Sequence, residues 1–176
     1  VESDSHGWMG ISFQHKPKAR PSGIIIHLRM LNQENIQQQE ALGIIGVNLV
    51  YGAMLLFEQP EKLIHSLIDA LSPGRIEVDM IRFNGPAFRG VDNRLMSLQL
   101  VQQGLADATI FKANGEVVQP SEILRKRAVL VERGSFRPVT KVSVDMLKCA
   151  LAQFNREYKM KGEKPLVILE MTLQNL

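Results

Sequence analysis

Two arginines flank a Gly-Ser pair in the segment Glu132-Arg133-Gly134-Ser135-Phe136-Arg137-Pro138-Val139-Thr140. Gly134 permits close backbone approach. Ser135 and Thr140 carry hydroxyl donors, and Arg133 and Arg137 carry planar forks that match phosphate or carboxylate. A helix is expected to open at Thr140 or Ser143, and its free N–H groups and dipole favour an anion there. The chemistry this pattern suggests is the holding of a phosphate-bearing small molecule. Asn84 and Arg94, from a second loop, are expected to reach toward the same place. The plainer alternative is a solvated loop in which Arg133 and Arg137 pair with Glu132 and Asp145.

Other reactive types are dispersed. Gly85-Pro86-Ala87-Phe88-Arg89-Gly90 resembles a glycine-rich turn, but Pro86 removes an N–H that a phosphate cradle would use. Asp92 reads as a helix N-cap. Of the four histidines, His6, His15, His27 and His65, no two have metal-ligand spacing, so no metal is assigned. His27 lies in an apolar strand and faces Arg29 and Asp79 in adjacent repeats. Cys149, the only cysteine, sits among Met146, Leu147 and Ala150 and reads as a buried, inert thiol. Nothing identifies a cofactor.

The elements that would position these residues follow one rhythm. Gly23 to Leu31 reads as a buried strand, and residues 33–45 as a helix closed by Gly46 at its C-terminal cap. Val47 to Phe57 reads as a second strand, and Pro60 opens a helix. The order then repeats. Arg75 to Phe83 is a strand, Asp92 caps a helix to Gln103, and Asn114-Gly115 turns a hairpin. Ala128 to Glu132, a helix through Tyr158, and Lys164 to Leu173 complete a third unit. Residues 26–32 parallel 78–84, and Gln59-Pro60 parallels Gln119-Pro120, so an internal repeat is expected. Strands alternating with helices predict an α/β fold with a three-layer, mainly parallel sheet. Ile24–Met30, Val78–Ile81, Val129–Val131 and Leu166–Leu169 would be its central strands. Ligands bind such sheets at the carboxyl edge, where the 133–140 loop would lie.

Composition sets the frame. The chain has 176 residues, 45% hydrophobic and 22% charged, which fits one globular domain. Residues 1–22 are expected to form a lead-in and residues 23–176 a single α/β domain, cut from the C-terminal part of a longer chain. Trp8, Met9, Ile11 and Phe13 of the lead-in should pack on that domain or on a second copy. The run from Gly43 to Phe57 contains Asn48 and is too short for a membrane span. A lone cysteine and the lack of a signal peptide point to the cytoplasm. A formal charge of +3 is mild and the aromatics lie in apolar runs, so nucleic acid is not favoured.

Several runs carry a likeness to a known group: His6-Gly7-Trp8-Met9-Gly10, Gln38-Gln39-Glu40-Ala41-Leu42-Gly43, Arg75-Ile76-Glu77-Val78-Asp79-Met80-Ile81, Val91-Asp92-Asn93-Arg94-Leu95-Met96-Ser97-Leu98, Gly115-Glu116-Val117-Val118-Gln119-Pro120 and residues 131–140. With these the chain resembles the C-terminal portion of a large uncharacterised bacterial cytosolic family. Its members carry inconsistent labels, among them nicotinate- or nicotinamide-nucleotide adenylyltransferase and TonB-dependent receptor. The adenylyltransferase label implies an HxGH-type motif, which this sequence lacks, and the receptor label implies an outer-membrane barrel, which the α/β pattern contradicts. Where this chain has Arg125-Lys126-Arg127, the family pattern is closer to Tyr-Lys-Lys-Pro.

Two functions of different class follow. One is binding of a nucleotide or other anionic metabolite, adenylyltransferase-like, at Arg133, Gly134, Ser135, Arg137 and Thr140 with Asn84 and Arg94. The other is a non-catalytic assembly module that pairs with its own N-terminal half or with another copy. A large exposed apolar face would favour the second.

Overall fold

The computed structural model describes residues 5–157 and 164–175. The chain divides into two compact units, Val1–Pro120 and Ser121–Leu176.

In the first unit, strands β1 (His6–Phe13), β2 (Ser22–Met30) and β3 (Ile76–Asn84) form a sheet in the order β1-β2-β3. Both pairings are antiparallel. Helices α1 (Asn35–Leu55), α2 (Pro60–Ser66) and α3 (Asn93–Gln102) share one core with it. A small hairpin, β4 (Ile110–Phe111) with β5 (Val117–Val118), follows at the expected Asn114-Gly115 turn.

The expectation of a mainly parallel, three-layer sheet is therefore corrected for this unit, and the cause is traceable. A single crossover helix returns the chain to the same end of a sheet and gives parallel strands. Between β2 and β3 the chain makes two helical passes, α1 and α2, and so enters β3 from the opposite end. The residues read as a strand, Val47 to Phe57, are the second half of α1 and the turn after it. Gly46 lies inside α1 and does not end it. Val47, Val50 and Tyr51 suit a strand by propensity. Ala41, Ile45, Leu49, Gly52 and Ala53 are buried at helical spacing, and that burial outweighs propensity. Gly52 is required at the crossing. A Cβ there would stand 2.8 Å from Leu63 Cγ of α2.

β2 shows why one face of the sheet is apolar. Ile24, Ile26, Leu28 and Met30 alternate into the core with Val78, Ile81 and Phe83 of β3. Val78 and Ile81 are three apart and could not share a face in a regular strand. A bulge resolves the phase: His27 pairs with Met80 and Leu28 with Val78, leaving Asp79 as the extra residue. Residues 6–13, placed in a lead-in by the sequence reading, are strand β1, from which Met9, Ile11 and Phe13 join the core.

The second unit holds β6 (Val129–Arg133), α5 (Lys141–Glu157) and β7 (Leu166–Glu170). One helix separates the strands, and here the pairing is parallel, with Val129 opposite Leu166. A short helix, α4 (Pro120–Leu124), begins at the junction of the units. Pro60 and Pro120 each stand at the start of a helix, α2 and α4. Gly46 is inside a helix, whereas Gly104, at φ +75, ends one. Among the described residues, no helix is long and apolar enough to cross a membrane.

Candidate functional site

The loop proposed from sequence follows β6, as expected, and its side chains have partners. The guanidinium of Arg133 donates to both carboxylate oxygens of Glu170, at 3.1 and 2.7 Å. That pairing, and not the expected one with Glu132, holds the Glu170 carboxyl below its usual range and raises Arg133. Gly134 donates its N–H to the Glu170 carbonyl at 3.0 Å and lies under the ring of Phe136. Thr140 caps α5, accepting from the Ser143 N–H at 3.2 Å. Ser135 and Arg137 are exposed. Asn84 and Arg94 belong to the first unit, whereas the loop belongs to the second. There the side chain of Asn84 covers Gly23. Arg94 is held by Asp92, with its Nη2 2.6 Å from Oδ2. Asp92 is the N-cap that the sequence indicated, accepting from the Arg94 N–H at 2.9 Å. The Arg94 side chain, then the backbone bond, lower its carboxyl to about 2.

The best-built polar cluster is elsewhere, on the sheet face turned away from the apolar core. The β2 side chains Ile25, His27 and Arg29 point there, opposite Trp8 and His6 of β1. His27 is fully buried, and its Nδ1 lies 2.6 Å from Oδ1 of Asp79. As a carboxylate Asp79 can only accept, so the hydrogen is on His27 Nδ1 and the lone pair on Nε2. That lone pair faces His6 Nδ1 at 3.1 Å and the Gln119 amide nitrogen at 2.8 Å. Trp8 meets the imidazole edge-on, with ring centroids 4.8 Å apart. The adjacent register pair Arg29 and Glu77 closes an ion pair at 2.6 Å. The cluster ties all three strands and residue 119 together. The cluster reaches solvent at the exposed rings of His6 and Trp8. The chain could pass a proton from His6 toward Asp79, but His27 and Asp79 themselves lie under cover. Sequence reading had noticed that His27 faces Arg29 and Asp79. It missed His6, Trp8 and Gln119, which only strand pairing and the β4–β5 hairpin bring in. Among the described residues, no group of three His, Cys, Asp or Glu is arranged to hold a metal ion.

The third feature is the outer face of α1. From Gly43 to Leu55 its exposed residues are Gly43, Val47, Val50, Tyr51, Met54 and Leu55, with no charged side chain between Glu40 and Glu58. Val47 is 69% exposed and Leu55 65%. Beside the C-terminal half of α1, Tyr51 and Leu56 line a shallow open groove with Lys62, His65, Asp69 and Gln103.

These features define an α/β chain of two units with a buried Asp–His cluster and an open apolar helix face. No protein-family model, no curated protein and no solved structure matches it.

Proposed function

We propose that the chain is an assembly module that joins a second copy of itself through the outer face of α1. The observation that carries this is the run of exposed, uncharged side chains from Gly43 to Leu55 on a 21-residue helix. Contiguous apolar surface of this kind marks an interaction site in a soluble chain. Gly43, Val47, Val50 and Met54 fall at alternating spacings of four and three, the seam of a helix pair. Gly43 leaves a notch in that seam for a branched side chain. With no charge along it, the stripe presents nothing that distinguishes one helix direction from the other, and a two-fold arrangement is self-complementary. Cys149 is exposed, not buried as its apolar neighbours suggested, and the setting we assign is the cytoplasm, where its thiol stays reduced.

Sedimentation equilibrium of the whole chain tests this. Self-association at roughly micromolar concentration, about −8 kcal/mol, is expected. The double variant Val47→Glu, Val50→Glu should sediment as a monomer with an unchanged thermal melt. A monomeric parent chain at every concentration overturns the reading.

The second reading, a nucleotide or other phosphate-bearing metabolite at the 133–140 loop, is favoured by one feature: the loop opens a 17-residue helix. The Arg133–Glu170 pair weighs against it, because an anion there must displace a carboxylate. Titration calorimetry with nucleotides and sugar phosphates, on the parent and on Arg137→Ala, tests it. Heat from the parent that is lost in the variant supports the site, and no heat from the parent rejects it.

A further inference from the structure

Charge is divided unequally between the units. Residues 1–120 hold ten Lys and Arg against twelve Asp and Glu, and residues 121–176 hold eleven against six. The topology of the second unit sorts these cations by edge. β6 and β7 run in the same direction and α5 runs back between them. Residues just before either strand, and residues at the end of α5, therefore collect at the amino edge of the sheet. Arg125, Lys126 and Arg127 precede β6, Lys164 precedes β7, and Arg156 lies in the last turn of α5. Leu166 donates to the Ala128 carbonyl at 2.8 Å, so the two strands start together. Arg127 and Lys164 each stand two positions ahead of the paired Val129 and Leu166.

All five side chains are exposed. None of the five makes an ion pair or side-chain hydrogen bond among the described residues. At the carboxyl edge Arg133 is neutralised by Glu170, while Lys141 at the start of α5 is exposed there. Among the described residues the amino edge gathers five exposed cations, beside the single acid Glu157, on the side opposite the 133–140 loop.

We propose that this amino edge binds the phosphate backbone of a nucleic acid, without reading its bases. A single metabolite phosphate needs donors converging on one point, and these cations are spread along an edge. Cations within a Debye length of about 10 Å add their fields. Such an array gains most from the polyanion of highest linear charge density, because neutralising each phosphate releases a condensed counterion. An acidic segment in which carboxylates alternate with neutral residues carries a lower linear charge density than duplex DNA, with its one charge per about 1.7 Å of axis. The inference stands apart from α1 and does not depend on self-association.

Fluorescence anisotropy of the whole chain with a labelled oligonucleotide of about 20 residues, single-stranded and duplex, is the test. The log of the binding constant should fall linearly with log salt, with a slope of roughly −2.7 to −4.5 on duplex and −2 to −3.5 on single strand for three to five neutralised phosphates. The variant Arg125→Gln, Arg127→Gln should bind at least about tenfold more weakly at low salt and with a slope nearer zero by about two. Lys164→Gln, on a different strand, should lose less but in the same direction, and Arg133→Ala should bind like the parent. No binding at about 50 mM salt overturns the proposal. So does parental affinity in both amino-edge variants. Competition by polyglutamate as strong as that by unlabelled oligonucleotide would also overturn it, transferring the edge to an acidic protein partner.

Discussion

His27 and Asp79 meet at 2.6 Å with both side chains out of solvent, and they meet because Asp79 is the extra residue of a bulge. A regular strand at that point would misplace either Asp79 or the core residue Ile81. With His27 neutral, removing Asp79 leaves a buried imidazole N–H without its acceptor, which costs about 1–3 kcal/mol. Asp79→Ala should lower the unfolding free energy by that amount in urea titrations, and His6→Ala, at the exposed end of the cluster, by much less. Equal, small losses in both would mean that the cluster carries no stability.

The α1–α2 crossing gives a second prediction. With a Cβ at residue 52 placed 2.8 Å from Leu63 Cγ, Gly52→Ala must push the helices apart or turn Leu63. Overpacking of this kind costs about 1–3 kcal/mol, although alanine is the better helix former. A stabilised Gly52→Ala chain in thermal melts would show that the crossing is looser than described.

Asp92 supplies a pH dependence with a defined sign. Its hydrogen bonds from Arg94 lower the carboxyl from 3.8 to about 2 in the folded state. A depressed acid stabilises the fold above its unfolded pKa and loses that contribution as pH falls through the folded value. Asp92→Ala should therefore be less stable than the parent at neutral pH. The difference should close as pH drops from 3.8 toward 2. A gap that persists at the acid end would assign the stabilisation to something other than the charge.

How far the sequence could be read depends on which force decided each element. Strand β2, the Asp92 cap, the Asn114-Gly115 turn and the start of α2 at Pro60 are set by local chemistry, and each lies where the residues indicate. The second half of α1 was misread because Val47, Val50 and Tyr51 carry strand propensity, while the helix is decided by burial of Ile45, Leu49 and Ala53. That one substitution of helix for strand changed the number of passes between β2 and β3 and so reversed the sheet's direction. The candidate sites followed the same rule. Thr140 as a cap was legible from its neighbours. The partner of Arg133 was not, since Glu170 lies 37 positions away and is brought by the parallel register of β6 and β7. Gln119 reaches His27 across 92 positions, with no local signal at either end.

Cross-linking at residue 47 tests the central claim most directly. Cys149 is the only cysteine, so Cys149→Ser, Val47→Cys leaves one thiol per chain, on the outer face of α1. A two-fold pairing of α1 brings that thiol near its own equivalent, and only a second copy can supply it. Mild oxidation at micromolar protein should yield a covalent dimer, whereas the control Cys149→Ser, Lys112→Cys, exposed on the β4–β5 hairpin, should stay monomeric. Dimer formation at position 112 but not at 47, or at neither, would contradict assembly through α1.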